Sequence, residues 1–252
     1  MDDDQLIALC HEVVDAVTGA LRDVEDWTGH GDRPGQYALD LRADEAVLEV
    51  LGPAGVGVLS EESGARDLDA EVVAVVDPVD GSTNASRRIP WYASSICMVD
   101  AGGPRAAVVA NLATGNRYVA RRGGGATKDG EPLTPSGCRR MQEAVVGFSG
   151  YPRRHFGWAQ FRAFGAAALD LCAVAEGTLD CFSAVGRAHL GPWDYLGGVL
   201  LCTEAGAAVT DLDGGELVVL DHGARRAVAA AATEELLEQL RTGALSSRPE
   251  GG

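Results

Sequence analysis

From Leu6 to Val24 the apolar positions Leu6, Leu9, Val13, Val14, Val17 and Leu21 recur every three or four residues, which predicts an amphipathic helix with one buried stripe. The breaker-rich stretch Thr28-Gly29-His30-Gly31-Asp32-Arg33-Pro34-Gly35 predicts a surface loop, and a second helix is expected from Leu41 to Leu51, stopped by Gly52-Pro53. The period then changes. Val56 to Leu59 reads as a short strand running into Ser60-Glu61-Glu62-Ser63. Glu71 to Val76, with valine at 72, 73, 75 and 76, reads as a buried strand that stops where Asp77 begins. Segments 94–99, 106–111 and 117–120 are short and rich in apolar or β-branched residues, and turns separate them, so an antiparallel meander is expected.

A Gly- and Pro-rich stretch from Gly123 to Gly137 suggests a soft boundary between an N-terminal α+β subdomain, 1–125, and a C-terminal α/β subdomain, 126–252. Beyond it the pattern predicts a strand at 144–148 and part of a helix at 159–164. A small-residue helix at 166–176 is closed by Gly177, and a further helix at 195–205 by Gly206. Asp211-Leu212-Asp213-Gly214-Gly215 reads as a hairpin turn leading to an alanine-rich strand. Thr233 opens the last helix, and a polar tail expected to lack order begins at Ser246. The fold class is therefore α/β (α+β).

Composition narrows the partners. The 252 residues are 46% apolar, enough for a substantial core, and no apolar run approaches the roughly 18 residues of a membrane span. The opening Met1-Asp2-Asp3-Asp4 is acidic where a secretory signal is basic, so a cytoplasmic location is expected. A formal charge of -16 argues against nucleic acid and anionic membrane surfaces and tolerates divalent cations. The six cysteines form no C-x-x-C pair and read as buried reduced thiols; the five histidines lack metal spacing, and no phosphate-binding glycine loop is present.

Candidate chemistry lies at the ends of predicted elements. Asp77 and Asp80 flank Pro78, which has no N–H for a ladder, and Gly81 tolerates unusual backbone angles; such a turn can converge two carboxylates. Read singly, these are turn acids, Glu61 and Glu62 a solvated pair, and Asp194 a helix N-cap. Read together, Glu61, Asp77, Asp80 and Asp194 supply the hard oxygen ligands that Mg²⁺ takes.

The stretches Ser60-Glu61-Glu62-Ser63, Asp77 to Asn84, the run Ala166 to Asp180, and Trp193-Asp194 followed by Thr203-Glu204-Ala205-Gly206 resemble the inositol monophosphatase family in content and order. The resemblance implies a layered αβαβα sandwich, with an antiparallel meander sheet in the N-terminal half and a mixed sheet in the C-terminal half. It implies a Mg²⁺-dependent, lithium-sensitive phosphomonoesterase, commonly a homodimer, that hydrolyses its ester directly. By position, Glu61, Asp77 and the Val79 carbonyl would hold one Mg²⁺; Asp77, Asp80 and Asp194 would hold a second; a weaker third would share Glu61. Ser82 with the helical Asp44 would activate water, and Asp80, Gly81, Ser82 and Asp194 would face the substrate. Ala163 stands where relatives often place a hydroxyl, and the family's inositol-binding glutamate is matched by Ala184 or Arg187, which weakens inositol specificity. The expected substrate is a small phosphorylated metabolite: a cyclitol or sugar monophosphate, with inositol monophosphate leading. Histidinol phosphate, a sugar bisphosphate or a 3'-phosphoadenosine nucleotide are the alternatives. A protein that kept the fold as a cation-binding or interaction module is the alternative of another class.

Overall fold

The computed structural model describes residues 1–31, 33, 36–186 and 189–246, so Arg187 and the tail beyond Ser246 lie outside the described residues. Within it, Val73 and Val75 face one side of a strand and Ala74 and Val76 the other, and each side is covered by helices. That period-two alternation, apolar on both faces, places a strand between two layers.

The chain begins with α1 (Asp3–Arg22) and α2 (Ala38–Leu51), then β1 (Gly57–Ser60), β2 (Gly64–Arg66), β3 (Val73–Asp80) and the short α3 (Ser82–Ser86). The meander follows as β4 (Ala93–Asp100), β5 (Gly103–Asn111) and β6 (Arg117–Arg121), and β7 (Gly125–Lys128) and β8 (Glu131–Pro132) continue it through the Gly- and Pro-rich stretch. These strands form one eight-stranded sheet in the order β2-β1-β3-β4-β5-β6-β7-β8; it is mixed, because β1 and β3 pair in parallel. The second half adds β9 (Val145–Ser149), β10 (Gln160–Arg162), α4 (Ala167–Ala175), β11 (Cys181–Ala184), α5 (Pro192–Ala205), β12 (Ala208–Asp211), β13 (Val228–Ala231) and α6 (Glu234–Ser246). Its sheet is also mixed, in the order β10-β9-β11-β13-β12.

The core divides by side-chain direction. The stripe of α1 and α2 packs on Ala74, Val76, Ile96, Met98 and Val108; α4 and α5 fill the middle layer against Val73, Val75, Cys97 and Val109 on one side and Phe182 and Ala230 on the other. The stripe of α6 covers Val146, Phe148, Cys181, Ala229 and Ala231. The expected αβαβα layering is present. All nine residues of α4 are buried; eight are apolar, as a helix inside the core must largely be, and the ninth, Asp170, accepts from the Trp91 Nε1–H at 2.9 Å. The two middle helices approach closely because position 198 is glycine: a Cβ there would lie 2.5 Å from the Leu171 Cβ. All six cysteines are free thiols, five of them buried, and burial pushes Cys10 up to about 12. Among the described residues no helix is long and apolar enough to cross a membrane.

Local expectations needed correction in five places. β3 does not stop at Asp77 but continues to Asp80, with a register shift against β4 between those two acids. α2 starts at Ala38 and α5 at Pro192, three residues earlier than expected in each case. Residues 160–162 pair with the edge of β9 as a strand, so the helix expected at 159–164 is absent; the segment is too short to close helical turns, and the sheet edge satisfies its backbone. No tight hairpin joins β12 to β13. Asp211 instead accepts from the N–H groups of Asp213, Gly215 and Ala227 and folds a long connection, 212–227, back over the middle layer.

Candidate metal centre

Three element ends deliver the four acids. β1 ends at Ser60, and the Glu61 N–H bonds to the Val76 carbonyl at 3.2 Å, which holds Glu61 beside β3. Between Asp77 and Asp80 the ladder slips, as a strand does where Pro78 withholds a donor. The Asp77 Oδ1 accepts from the Val79 N–H at 3.0 Å. Asp80 Oδ2 accepts from the Ala168 N–H at 2.7 Å in the first turn of α4, where a helix favours negative charge. Asp194, third in α5, reaches back so that its Oδ2 accepts from the Gly191 N–H at 2.6 Å; Gly191, not Asp194, is the N-cap residue.

Glu61, Asp77 and Asp194 each bring one oxygen to within 4.8 Å of the others. Crowding of like charges out of water disfavours ionisation. Burial first, then the Asp194 and Glu62 charges, push Glu61 up to about 8, and burial pushes Asp194 up to about 6. Burial and the neighbouring carboxylates hold Asp77 and Asp80 well above the usual carboxylate range. Arg225 is the cation whose charge opposes this at Asp194. A donor set of buried carboxylates short of positive charge fits hard divalent cations such as Mg²⁺; Glu61, Asp77 and Asp194 are the converging groups that would hold one, with Asp80 and the Val79 carbonyl adjoining in the chain.

Ser82 opens α3 beside these acids, and its Oγ donates to the Val79 carbonyl at 3.3 Å. Gly81 before it has φ +86, and a Cβ there would lie 3.0 Å from the Ala166 Cβ, so both backbone angle and space require glycine. Asp44 does not join them. It accepts from the hydroxyls of Ser60 at 2.5 Å and Ser63 at 3.3 Å, anchoring the end of β1. One turn earlier, Asp40 lines the cavity with Ser82, Glu61 and Glu62. Its Oδ2 accepts from the Tyr37 N–H at 2.9 Å, its Oδ1 is buried with no partner among the described residues, and burial pushes it up to about 6. Ala184 ends β11 in the core between the sheets, 1% exposed, and is not among the residues lining the cavity. Arg187 lies outside the described residues.

The cavity, about 270 Å³, is lined by Trp193 and by residues to which the sequence pattern gave no role: Arg33, Gln36, His222 and Arg225. Arg33 and Gln36 both bond to the Glu62 carboxylate. The connection 212–227 brings His222, whose Nε2 lies 3.1 Å from the Glu61 carbonyl, as the Nε2–H tautomer requires, and whose ring centroid is 4.7 Å from that of Trp193. Arg225 donates to the carbonyls of His222 and Ala224 at 2.9 and 2.7 Å, with its guanidinium 5.1 Å from the Trp193 ring centroid. Asp40 precedes the helix start expected at Leu41 and so had no signal of its own, and His222 and Arg225 had none because tertiary packing alone delivers them. Lys128, the chain's single lysine, pairs with Glu176 and takes no part.

The family model described as the inositol monophosphatase family matches residues 6–245. A fructose-1,6-bisphosphatase/inositol-1-monophosphatase of Archaeoglobus fulgidus is 37% identical over 184 residues, 71% of each chain. The Nus factor SuhB of Escherichia coli is 31% identical over 233 residues, covering 85% of this chain and 83% of its own. A solved Pyrococcus horikoshii protein described as similar to inositol-1 monophosphatase superposes with a TM-score of 0.87 at 24% identity, over 96% of this chain and 99% of that one, a likeness of fold. The match along nearly the whole sequence and the shared layering lead to one statement: this chain belongs to the inositol monophosphatase family.

Proposed function

We propose that the protein is a Mg²⁺-dependent phosphomonoesterase that hydrolyses a small cyclitol or sugar monophosphate, inositol monophosphate first among them, by direct attack of water. The observation that carries this reading is the convergence of the Glu61, Asp77 and Asp194 oxygens within 4.8 Å beside a cavity lined by Asp40 and Ser82. Mg²⁺ held there, two ions with a weaker third, supplies positive charge to a phosphate and to its leaving oxygen. The backbone N–H groups of Gly81 and Ser82 would bind the phosphate, and Asp80 and Asp194 would border it. Asp40 replaces Asp44 as the helical acid: its free Oδ1 accepts an O–H of the attacking water, and Ser82 Oγ, which lines the same cavity, fixes the direction of approach. The Asp80 carboxylate keeps one oxygen on the Ala168 amide and so stays oriented. The family reading extends the proposal to lithium inhibition and a cytoplasmic homodimer.

One observation favours a second reading. Arg225 is a cation at the cavity mouth, braced by its own loop and by Trp193, and such a group suits a substrate with a second anion, as a sugar bisphosphate has. Phosphate release from a panel of inositol 1-phosphate, sugar mono- and bisphosphates, histidinol phosphate and 3'-phosphoadenosine nucleotides at fixed Mg²⁺ tests both. The small-metabolite reading fails if none exceeds p-nitrophenyl phosphate in kcat/KM. Asp77→Asn is expected to abolish turnover while the circular dichroism spectrum is retained; turnover at the wild-type rate would remove the carboxylate centre from the mechanism.

A further inference from the structure

Away from the acids, a trough of about 480 Å³ lies between the C-terminal turn of α1 and the turn joining β5 to β6, bordered by Thr18, Leu21, Arg22, Trp27, Arg88 and Leu112. It adjoins a smaller hollow of about 210 Å³ that shares Thr18, Arg22 and Leu112. The charge here runs against the rest of the molecule. In a chain of formal charge -16, neither Arg22 nor Arg88 lies within ion-pair distance of a carboxylate among the described residues. Arg117 at the far end is held by Asp15, but the two arginines facing the larger space have no such partner.

Arg88 is also held in place. Its guanidinium carbon sits 3.9 Å from the Trp27 ring centroid, and Trp27 is fixed by an Nε1–H bond to the Val24 carbonyl at 2.9 Å and by an edge contact with Tyr92. The Arg88 backbone has φ +60, a conformation a bulky residue adopts only when its surroundings impose it. Stacking on the ring leaves the guanidinium N–H edge open to acceptors, the arrangement in which arginine binds carboxylate or phosphate oxygens in pairs. Leu21, Val24 and Leu112 add apolar wall, and Thr18 and Thr114 add hydroxyls.

We propose that this trough is a second, metal-independent binding site for a small organic anion, its phosphate or carboxylate held between Arg22 and Arg88 and its carbon body lying against Leu21, Val24 and Leu112. It is separate from the acid cavity, with which it shares none of its bordering residues. The site does not rest on the phosphatase reading, and its test is independent of turnover.

Calorimetric titration of the EDTA-treated protein with glycerol 2-phosphate and, separately, succinate distinguishes a phosphate ligand from a carboxylate one. Saturable one-to-one binding of at least one probe is expected, weakened tenfold or more in Arg22→Glu and in Arg88→Glu. Arg22 is exposed at a helix end, so its variant keeps the test valid if Arg88→Glu does not fold. Asp77→Asn should bind as the wild type does. Failure of both probes to saturate, undiminished binding in Arg22→Glu, or binding abolished by Asp77→Asn would each overturn the proposal.

Discussion

Asp40 and Asp44 stand one turn apart on α2, and their surroundings give them different chemistry. The Asp44 Oδ1 accepts from the hydroxyls of Ser60 and Ser63, and Asp44 is not among the residues lining the cavity; Asp40 lines it and keeps one buried oxygen unbonded among the described residues. Asp40→Asn is expected to lower kcat by roughly 10²–10⁴-fold, the usual worth of a positioned general base. Asp44→Asn should keep activity within about tenfold and lose about 1–3 kcal/mol of stability, the cost of disturbing a buried hydrogen-bonded group. Steady-state phosphate release and urea unfolding of the two variants separate these outcomes. The choice between these acids was hard to read from sequence for a physical reason. The apolar pattern begins convincingly only at Leu41, which leaves Asp40 outside the helix, whereas the Tyr37 amide capped by Asp40 starts the helix at Ala38. Glu61, Asp77, Asp80 and Asp194 were legible because each ends or begins a strongly patterned element. His222 and Arg225 were not, since no periodicity marks a side chain that a long connection carries across the molecule.

At the scale of elements, α5 has the most demanding position. It lies between α4 and the first sheet while presenting Asp194 from its first turn, and Gly197 and Gly198 make room for it: a Cβ at 197 would lie 3.0 Å from the Ser95 Oγ, one at 198 only 2.5 Å from the Leu171 Cβ. Gly198→Ala therefore overpacks the middle layer. A loss of about 1–3 kcal/mol in urea unfolding is expected, together with weaker Mg²⁺ binding because α5 must shift and carry Asp194 with it. Unchanged stability would show that α4 and α5 can separate freely. Helices of this kind were legible as helices from their apolar content, but strands were less secure. Gln160–Arg162 has only three residues and no alternation to read, and β3 outran its predicted end because the ladder resumes at Asp80 after the slip.

For the whole molecule, the buried acids set the response to pH and chelation. In the metal-free protein the folded state raises Glu61 from 4.5 to about 8 and Asp194 from 3.8 to about 6, so between those limits the folded chain binds more protons than the unfolded one. Stability from these groups is then complete below about pH 4 and declines as pH rises towards 8. Thermal unfolding in EDTA should show Tm falling across this range, and saturating Mg²⁺ should remove most of the fall, because a cation that binds only the folded state stabilises it. A Tm that rises with pH in EDTA would contradict the charge crowding. The layering itself was legible early only as what the resemblance implied. That the first sheet is mixed, and that it runs on through β7 and β8, emerged only from the pairing.

The position of Asp194 also fixes an order of events in time. Glu61, Asp77 and Asp80 leave the ribosome well before Asp194, and the last oxygen arrives only when α5 has docked between the two sheets. A cation held by this set, as proposed, would therefore be gripped only late in the life of each molecule. Interactions completed after the folding barrier slow escape from the native state more than they hasten arrival. Stopped-flow measurements should accordingly find Mg²⁺ lowering the unfolding rate while leaving the refolding rate nearly unchanged, and an ion that instead accelerated refolding would mean that the early acids gather before the layers close.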